Sequence, residues 1–317
     1  MRKVVFILFL VSFQFIFAQP DSLFFKIEDI SVPKWTHKNK ASMLMSEVAF
    51  VNWNSGGSNS ISALINFESA LKYRYKHLIW SSLLITRYGV NSQENQGLRK
   101  TDDIIDISST LGYKKEEYTN WYYSARFNFK TQFTAGYNYP DESNVLSSFM
   151  APGYLFVGGG IEYGKNIDKF SLYFSPLTIK TTFVLDSKLA NAGSFGVTPA
   201  VYDSDGNVLV AGERIRNEVG ILLTSAYEVQ VFENVFLGNY VSFYSDYLND
   251  FGNIDVDWQI NLDFKVNNFI KANFGSHLKY DNDIKTQVET SVEGEYDIKG
   301  AKVQWKQLLG VGVVVDF

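Results

Sequence analysis

The sequence predicts an all-β fold, a transmembrane antiparallel up-and-down β-barrel of about 12 strands with short periplasmic turns and long extracellular loops. Three observations predict it. Apolar and polar residues alternate along most of the chain, the gaps between the alternating segments are short and long in turn, and an apolar leader precedes them. A soluble β-sandwich explains the first observation but gives no reason for the second.

The clearest alternation lies between Ile254 and Val266. Every even-numbered residue there is apolar, and every odd-numbered residue is Asp, Gln, Asn or Lys. Only an extended strand, whose side chains point to two faces in turn, separates residues in this way. Because hardly any helical segment is present to cover the apolar faces, we assign them to lipid and the polar faces to a lumen.

The predicted strands are spaced by gaps of alternating length. The strands cover residues 43–53, 61–75, 78–88, 102–114, 119–135, 154–165, 168–183, 214–231, 234–247, 254–267, 269–281 and 302–317. The short gaps include Lys76-His77, Asn166-Ile167, Phe232-Glu233 and Asn267-Asn268, and Lys115–Tyr118 forms another turn. The long gaps are 89–101, 136–153, 184–213 and 282–301, and the shorter gaps 54–60 and 248–253 fall on the same side. This asymmetry is typical of outer-membrane barrels.

The N-terminus has the features of a signal peptide, which we assign to residues 1–18. Arg2 and Lys3 form a basic start, an apolar run follows, and Ala18 provides a plausible cleavage point. The apolar run is shorter than the roughly 20 residues that a transmembrane helix needs. We therefore expect export rather than anchoring.

Residues 19–42 are predicted to form a periplasmic N-terminal segment, and residues 43–317 the outer-membrane barrel. The basic residues Lys34, Lys38 and Lys40 are interpreted as a solvated tail rather than a site. The C-terminal strand ends in Phe317, which resembles the signal read by barrel-assembly machinery. Together with the signal peptide, this terminal residue favours the cell outer membrane as the location.

Composition excludes several classes of function. The aromatic content is 16% and the mean hydropathy is −0.09, as expected when half of each strand faces lipid and half faces water. The chain has no Cys, and its three His residues lie far apart, so neither a metal site nor a cofactor is predicted. A net charge of −5 argues against nucleic acid as a partner.

Five sequence blocks resemble a known family. They are Phe50–Ser62, Arg99–Asp103, Phe129–Phe133, Ser148–Tyr154 and Phe174–Leu177. These blocks occur in this order within a region from about Ala41 to Phe317. In sequence and order they resemble a Bacteroidetes-type outer-membrane barrel family catalogued as domain of unknown function 3078. The resemblance implies an outer-membrane barrel and no assigned activity.

Three local motifs are interpreted structurally. The run Gly158-Gly159-Gly160 lacks the setting of a phosphate-binding loop and favours bending or a close approach within the lumen. Pro176 predicts a bulge or an edge break, because proline cannot donate to a strand ladder. The segment Asp203–Asn207 is read as a polar turn, because it lacks the later Glu of a calcium loop.

The lumen carries the candidate functional residues. Nine ionisable side chains are predicted to line it: Arg126, Lys130, Asp255, Asp257, Asp263, Lys265, Lys271, His277 and Lys279. Eight strands enclose a space that side chains fill, and sixteen leave an aqueous channel, so a barrel of about 12 strands lies between these regimes.

The first functional hypothesis is a channel or transport barrel for small hydrophilic solutes. The alternative is a closed structural or envelope-interaction barrel that presents its surface loops. A membrane-embedded hydrolase ranks third, since His277 with Ser175, Ser242 or Asp257 matches no recognised catalytic motif, and we expect no enzyme. The expected partners are outer-membrane lipids, the barrel-assembly machinery and small hydrophilic solutes.

Overall fold

The computed structural model of the chain describes residues 32–50, 58–116, 119–164, 169–249, 251–289 and 296–317. The predicted signal peptide lies outside the described residues, as do positions 19–31 of the predicted periplasmic segment and the predicted turn at Asn166-Ile167. These assignments stay predictions.

Among the described residues, twelve long strands form one closed antiparallel barrel. Their bounds are β1 Lys34–Val48, β2 Ser60–Tyr75, β3 Leu78–Gln93, β4 Arg99–Tyr113, β5 Trp121–Thr131, β6 Gly153–Gly164, β7 Phe170–Phe183, β8 Ile215–Phe232, β9 Val235–Asp246, β10 Asp255–Lys265, β11 Ile270–Tyr280 and β12 Gln304–Asp316. Each strand pairs with the next along the chain, and β12 pairs with β1 from Lys40 opposite Asp316 to Met45 opposite Val311. The predicted fold class and strand number are confirmed.

Tight turns and long loops lie at opposite ends of this barrel. Lys76 and Asn234, with φ of 50° and 61°, turn the chain between β2 and β3 and between β8 and β9. At the other end, the loops contain three hairpins, which pair Gly136–Asn138 with Asp141–Ser147, Val201–Tyr202 with Val208–Val210, and Lys285–Glu289 with Tyr296–Ala301. They also contain the helix α1, Ser187–Asn191, and a 3-10 turn at Ser194–Gly196. Within the described part of the chain, no helix has the length and apolar character needed to cross a membrane.

The first strand begins earlier than predicted. It starts at Lys34 instead of residue 43, so residues 34–42 belong to the barrel and not to a separate periplasmic segment. This half of β1 pairs with β2 from Lys34 opposite Arg74 onward. Lys, Thr, His and Asn occupy both faces near the tight-turn end, where both faces can meet water, and the apolar alternation that marks the other strands is therefore missing.

The bulge predicted at Pro176 is present in β7. The register shifts opposite Gly159/Ile161 of β6 and opposite Gly220/Leu222 of β8, so two residues of β7 face one on each neighbour. A Cβ on Gly160 would meet the carbonyl oxygen of Phe174. At the glycine run, the group that approaches the backbone closely is therefore the neighbouring strand β7, and not a group inside the lumen.

Candidate lumenal site

Ion pairs across the interior identify the inner face of the barrel. They join Lys130 to Asp257 (3.6 Å), Lys180 to Asp255 (2.9 Å) and Lys306 to Asp102 (2.7 Å). These pairs connect β5 with β10, β7 with β10, and β12 with β4, and none of these strands are neighbours in the wall. Because side chains alternate along each strand, the pairs fix which residues of every strand point inward.

All nine predicted lumen residues lie on this inner face. On β10 and β11 the register places Asp257 opposite Lys279, Asp263 opposite Asn273 and Lys265 opposite Lys271. On β5, Lys130 contacts Asp257, and Arg126 lies four positions before it on the same face. The nine residues do not form one site, however, and they divide into groups at different depths.

The group nearest the long loops, which we call the mouth cluster, consists of Lys180, Arg216, Glu218, Asp255, Asp281 and Asp283. The Lys180 ammonium lies 3.5 Å from Glu218, 2.9 Å from Asp255 and 3.8 Å from Asp281. Arg216 lies 3.6 Å from Glu218 and 3.0 Å from Asp283. The side chains of Lys180 and Glu218 are only 4% and 2% exposed. Four carboxylates thus surround two cations, which leaves an excess of negative charge.

The next group, the middle cluster, consists of Asp106, Lys130, Asp257, His277 and Lys279. Lys130 lies between Asp106 (3.5 Å) and Asp257 (3.6 Å), and the His277 Nε2 lies 2.8 Å from an Asp257 oxygen. Lys279 is exposed to the interior and forms neither an ion pair nor a hydrogen bond with any described residue. Within the described residues, no carboxylate oxygen lies within ion-pair distance of its ammonium, although Asp257, Asp281 and Asp106 act on it electrostatically.

Arg126 lies further from the loops. Its guanidinium donates to Glu162 (2.7 Å) and to Thr224 (2.7 Å), and it stacks 4.1 Å from the centre of the Tyr173 ring. Thr224 is on β8, so this hydrogen bond also crosses the interior. Arg126 is held by three partners and is a fixed part of the lumen wall.

A cavity of about 490 Å³ lies between these groups. Its charged lining is Asp106, Arg126, Lys130, Lys180, Asp255, Asp257, Lys279 and Asp281, and its aromatic lining includes Tyr154, Phe156, Tyr240 and Tyr244. Asp263, Lys265, Lys271 and His277 do not line it. Of these, Asp263 accepts a hydrogen bond from Asn273 (2.7 Å) nearer the tight-turn end.

Sequence reasoning missed seven charged residues of these groups, namely Lys180, Arg216, Glu218, Asp281, Asp283, Asp106 and Glu162. The bulge at Pro176 explains the first omission, because an extra residue reverses which positions point inward beyond it. Applying this reversal after Pro176 would have placed Thr178 and Lys180 in the lumen. On β8, Leu222 also points inward beside Tyr244, so the inner face is not uniformly polar and gave no clear alternation.

Two long loops fold together at the mouth. Ala151, Val184, Leu189, Ala190 and Val197 form a buried apolar cluster, with Val184 and Ala151 at 0% exposure. Asp186 caps α1 by accepting the backbone N–H groups of Lys188 and Leu189. Arg216 donates to the carbonyl of Gly196 (3.1 Å), which ties this loop structure to the mouth cluster.

The tip of the longest loop is the polar turn that was predicted. Asp203 accepts hydrogen bonds from the backbone N–H groups of Asp205 (3.0 Å) and Asn207 (2.7 Å), and Gly206 has a φ of 82°. The hydrogen bond from Asn207 lowers the pKa of the Asp203 carboxyl. The carboxylate is thus engaged by donors of its own turn.

The outer face is apolar and carries aromatic rings at the tight-turn end. Trp35 contacts Tyr73 and Trp80, and a second row runs from Trp121 through Tyr163 and Phe170 to Tyr227. Polar residues on this face are bonded to tryptophans, since the indole N–H of Trp80, Trp258 and Trp305 donates to Ser109, Asn239 and Ser276. Such pairing lowers the cost of placing a polar group in an apolar medium.

A family model described as a protein of unknown function (DUF3078) matches residues 45–137. The match contains the blocks Phe50–Ser62, Arg99–Asp103 and Phe129–Phe133, and it ends before the remaining two. The chain is therefore similar to this family over its first strands. No curated protein matches the chain.

The chain is also similar to solved structures, among them an outer-membrane channel, a porin and an outer-membrane protein. An outer-membrane channel from Pseudomonas putida F1 is 12% identical, with 92% of this chain and 98% of that chain covered and a TM-score of 0.40. The NanC porin is 8% identical, with 87% and 98% covered and a TM-score of 0.35. OmpT of Vibrio cholerae is 7% identical, with 90% and 98% covered and a TM-score of 0.28.

Proposed function

We propose that the protein is an outer-membrane barrel that conducts small hydrophilic solutes through a narrow, charged lumen. The observation that carries this proposal is the cavity of about 490 Å³ inside the barrel, where charged side chains of both signs and hydroxyl groups lie among apolar residues such as Leu83, Ile85 and Leu222. A wet interior of this kind provides hydrogen-bond partners along the path, and its charges select the solutes that enter.

The outer surface supports the membrane location. Large apolar side chains cover it, with Ile65 59%, Leu309 68% and Val311 55% exposed. Exposed apolar area on this scale is costly in water and favourable in lipid, and aromatic residues near a barrel rim suit the headgroup region. The cell outer membrane, its lipids and the barrel-assembly machinery are therefore part of the proposal, together with the predicted signal peptide.

The cross-lumen ion pairs set the size limit. Lys130 and Asp257 extend from β5 and β10 across the interior, and both line the cavity. A solute must fit beside this pair or displace it. The geometry therefore suits small solutes.

A closed envelope barrel is the second candidate. Two observations favour it: Lys180 and Glu218 are almost fully buried in the mouth cluster, and the loops carry their own buried apolar cluster. In a closed barrel of this kind, the ion pairs stabilise the interior, and the loops form the surface that interacts with other envelope components.

Liposome swelling separates the two functions. Folded protein is reconstituted into vesicles, and the uptake of arabinose is compared for the wild type, Lys130→Ala and Lys271→Ala. If the lumen conducts, the wild type should take up arabinose and Lys130→Ala should take it up faster. Lys271→Ala should take it up at the wild-type rate, since Lys271 points inward but lies outside the cavity. Absence of uptake with both the wild type and Lys130→Ala would establish the closed barrel instead.

A further inference from the structure

Lys279 offers a binding group for an anion inside the cavity. It lines the cavity, it is exposed to the interior, and no described residue forms an ion pair with it. Its register partner Asp257 is already engaged by His277 (2.8 Å) and Lys130 (3.6 Å). A carboxylate on a bound solute could therefore take a charge-assisted hydrogen bond from Lys279 without displacing an existing one.

The mouth cluster offers the complementary group. Its four carboxylates face Lys180 and Arg216, and two of them, Asp255 and Asp281, line the cavity. The Tyr244 ring lies in the same wall, with Lys180 5.1 Å from its centre, and its buried hydroxyl has no hydrogen-bond partner among the described residues. The excess negative charge attracts an ammonium and repels a purely anionic solute.

We infer that the cavity binds a linear zwitterionic solute of about the size of a dipeptide, with its ammonium at the mouth cluster and its carboxylate at Lys279. This inference rests on the proposed conduit function and names its solute class. Only a solute with both charges satisfies both groups at once.

Strand geometry gives the approximate spacing of the two binding groups along the wall. Asp255 and Asp257 are two residues apart on β10, Lys279 and Asp281 are two residues apart where β11 ends at Tyr280, and two residues of a strand span about 7 Å between their Cα atoms. An α-amino acid carries both charges on one carbon and is too short. The cavity volume of about 490 Å³ lies within the range of small-molecule sites.

Isothermal titration of the folded barrel in detergent tests the inference with defined probes. The probes are 5-aminovalerate, which carries both charges, valerate and pentylamine, which carry one each, and alanine, in which the charges are adjacent. We expect 5-aminovalerate to bind the wild type more tightly than the other three.

Substitutions identify the binding groups. Lys279→Gln should weaken the binding of 5-aminovalerate about tenfold or more, the loss expected for a charge-assisted hydrogen bond. Asp281→Asn should weaken it less, because Asp255 remains. Lys271→Gln, the matched control on the same face of β11, should leave binding unchanged, and Lys279→Arg should retain most of it.

The inference is overturned if valerate binds as tightly as 5-aminovalerate, or if Lys279→Gln binds like the wild type. If the Gln variant fails to fold, Lys279→Met, which removes the charge and keeps a side chain of similar length, provides the same comparison. Titration reports binding and vesicle swelling reports transport, so the two proposals can fail separately. Uptake of arabinose without binding of 5-aminovalerate would contradict the assigned solute class. Binding of 5-aminovalerate without uptake of arabinose would contradict a conducting lumen.

Discussion

An arginine at Ile260 should destabilise the barrel strongly if the outer face of β10 meets lipid. Ile260 is the central residue of Asp255–Lys265 and points outward, opposite Asn239 of β9 and Ser276 of β11. It lies five residues from either end of the strand, which is about 17 Å along a strand axis that tilts about 40°, or roughly 13 Å along the membrane normal. Half of an apolar band of about 25 Å is similar, so Ile260 lies near the bilayer midplane.

At that depth an arginine costs about 2–4 kcal/mol, which changes the folding equilibrium constant about 30- to 1000-fold. The control is Asn261→Arg, one residue further on and pointing into the lumen between Gly238 and Gly275. We expect it to change the free energy of unfolding by less than about 1 kcal/mol. Urea titration of both variants in lipid vesicles gives the comparison, and equal destabilisation would refute the assignment of faces.

Three further predictions concern topology, assembly and packing. A tag beside Asp205 should be labelled on intact cells and a tag after Lys114 should not, because the first lies in a long loop and the second at a tight turn; equal labelling would reverse or remove the orientation. Deletion of Phe317, whose backbone exchanges hydrogen bonds with Asn39 where the barrel closes, should reduce the heat-modifiable protein in outer-membrane fractions. An unchanged yield would show that assembly does not need the terminal residue. Gly160→Ala should lower the free energy of unfolding by about 1–3 kcal/mol, because its Cβ would meet the Phe174 carbonyl, whereas Gly159→Ala has free space and should change little; similar urea midpoints for the two variants would contradict the packing at the bulge.

The fold followed from alternation because lipid and lumen act on opposite faces of the same strand. On β10 the rule places all the named carboxylates correctly, since Trp258 and Ile260 face outward and Asp257 faces inward. It failed on β1, where polar residues occupy both faces, and on β7, where the bulge at Pro176 reverses the order. Periodicity locates a strand only when its two faces meet different media.

The grouping of the lumen residues required three dimensions. Lys180 and Asp255 lie on β7 and β10, far apart in sequence, and nothing in either segment indicates that they meet. Likewise, the nine predicted residues share one face, but only register and loop folding separate Lys279, in the cavity, from Lys271, outside it. The sequence therefore indicated the type of residue in the lumen but not its depth or its partner.

The conductance of folded wild-type protein in planar bilayers tests the central claim most directly. A conducting lumen predicts discrete conductance steps, with larger steps for Lys130→Ala, because this substitution removes a side chain that crosses the interior to Asp257. Folded wild-type protein and folded Lys130→Ala that both insert without any conductance would contradict a conducting lumen.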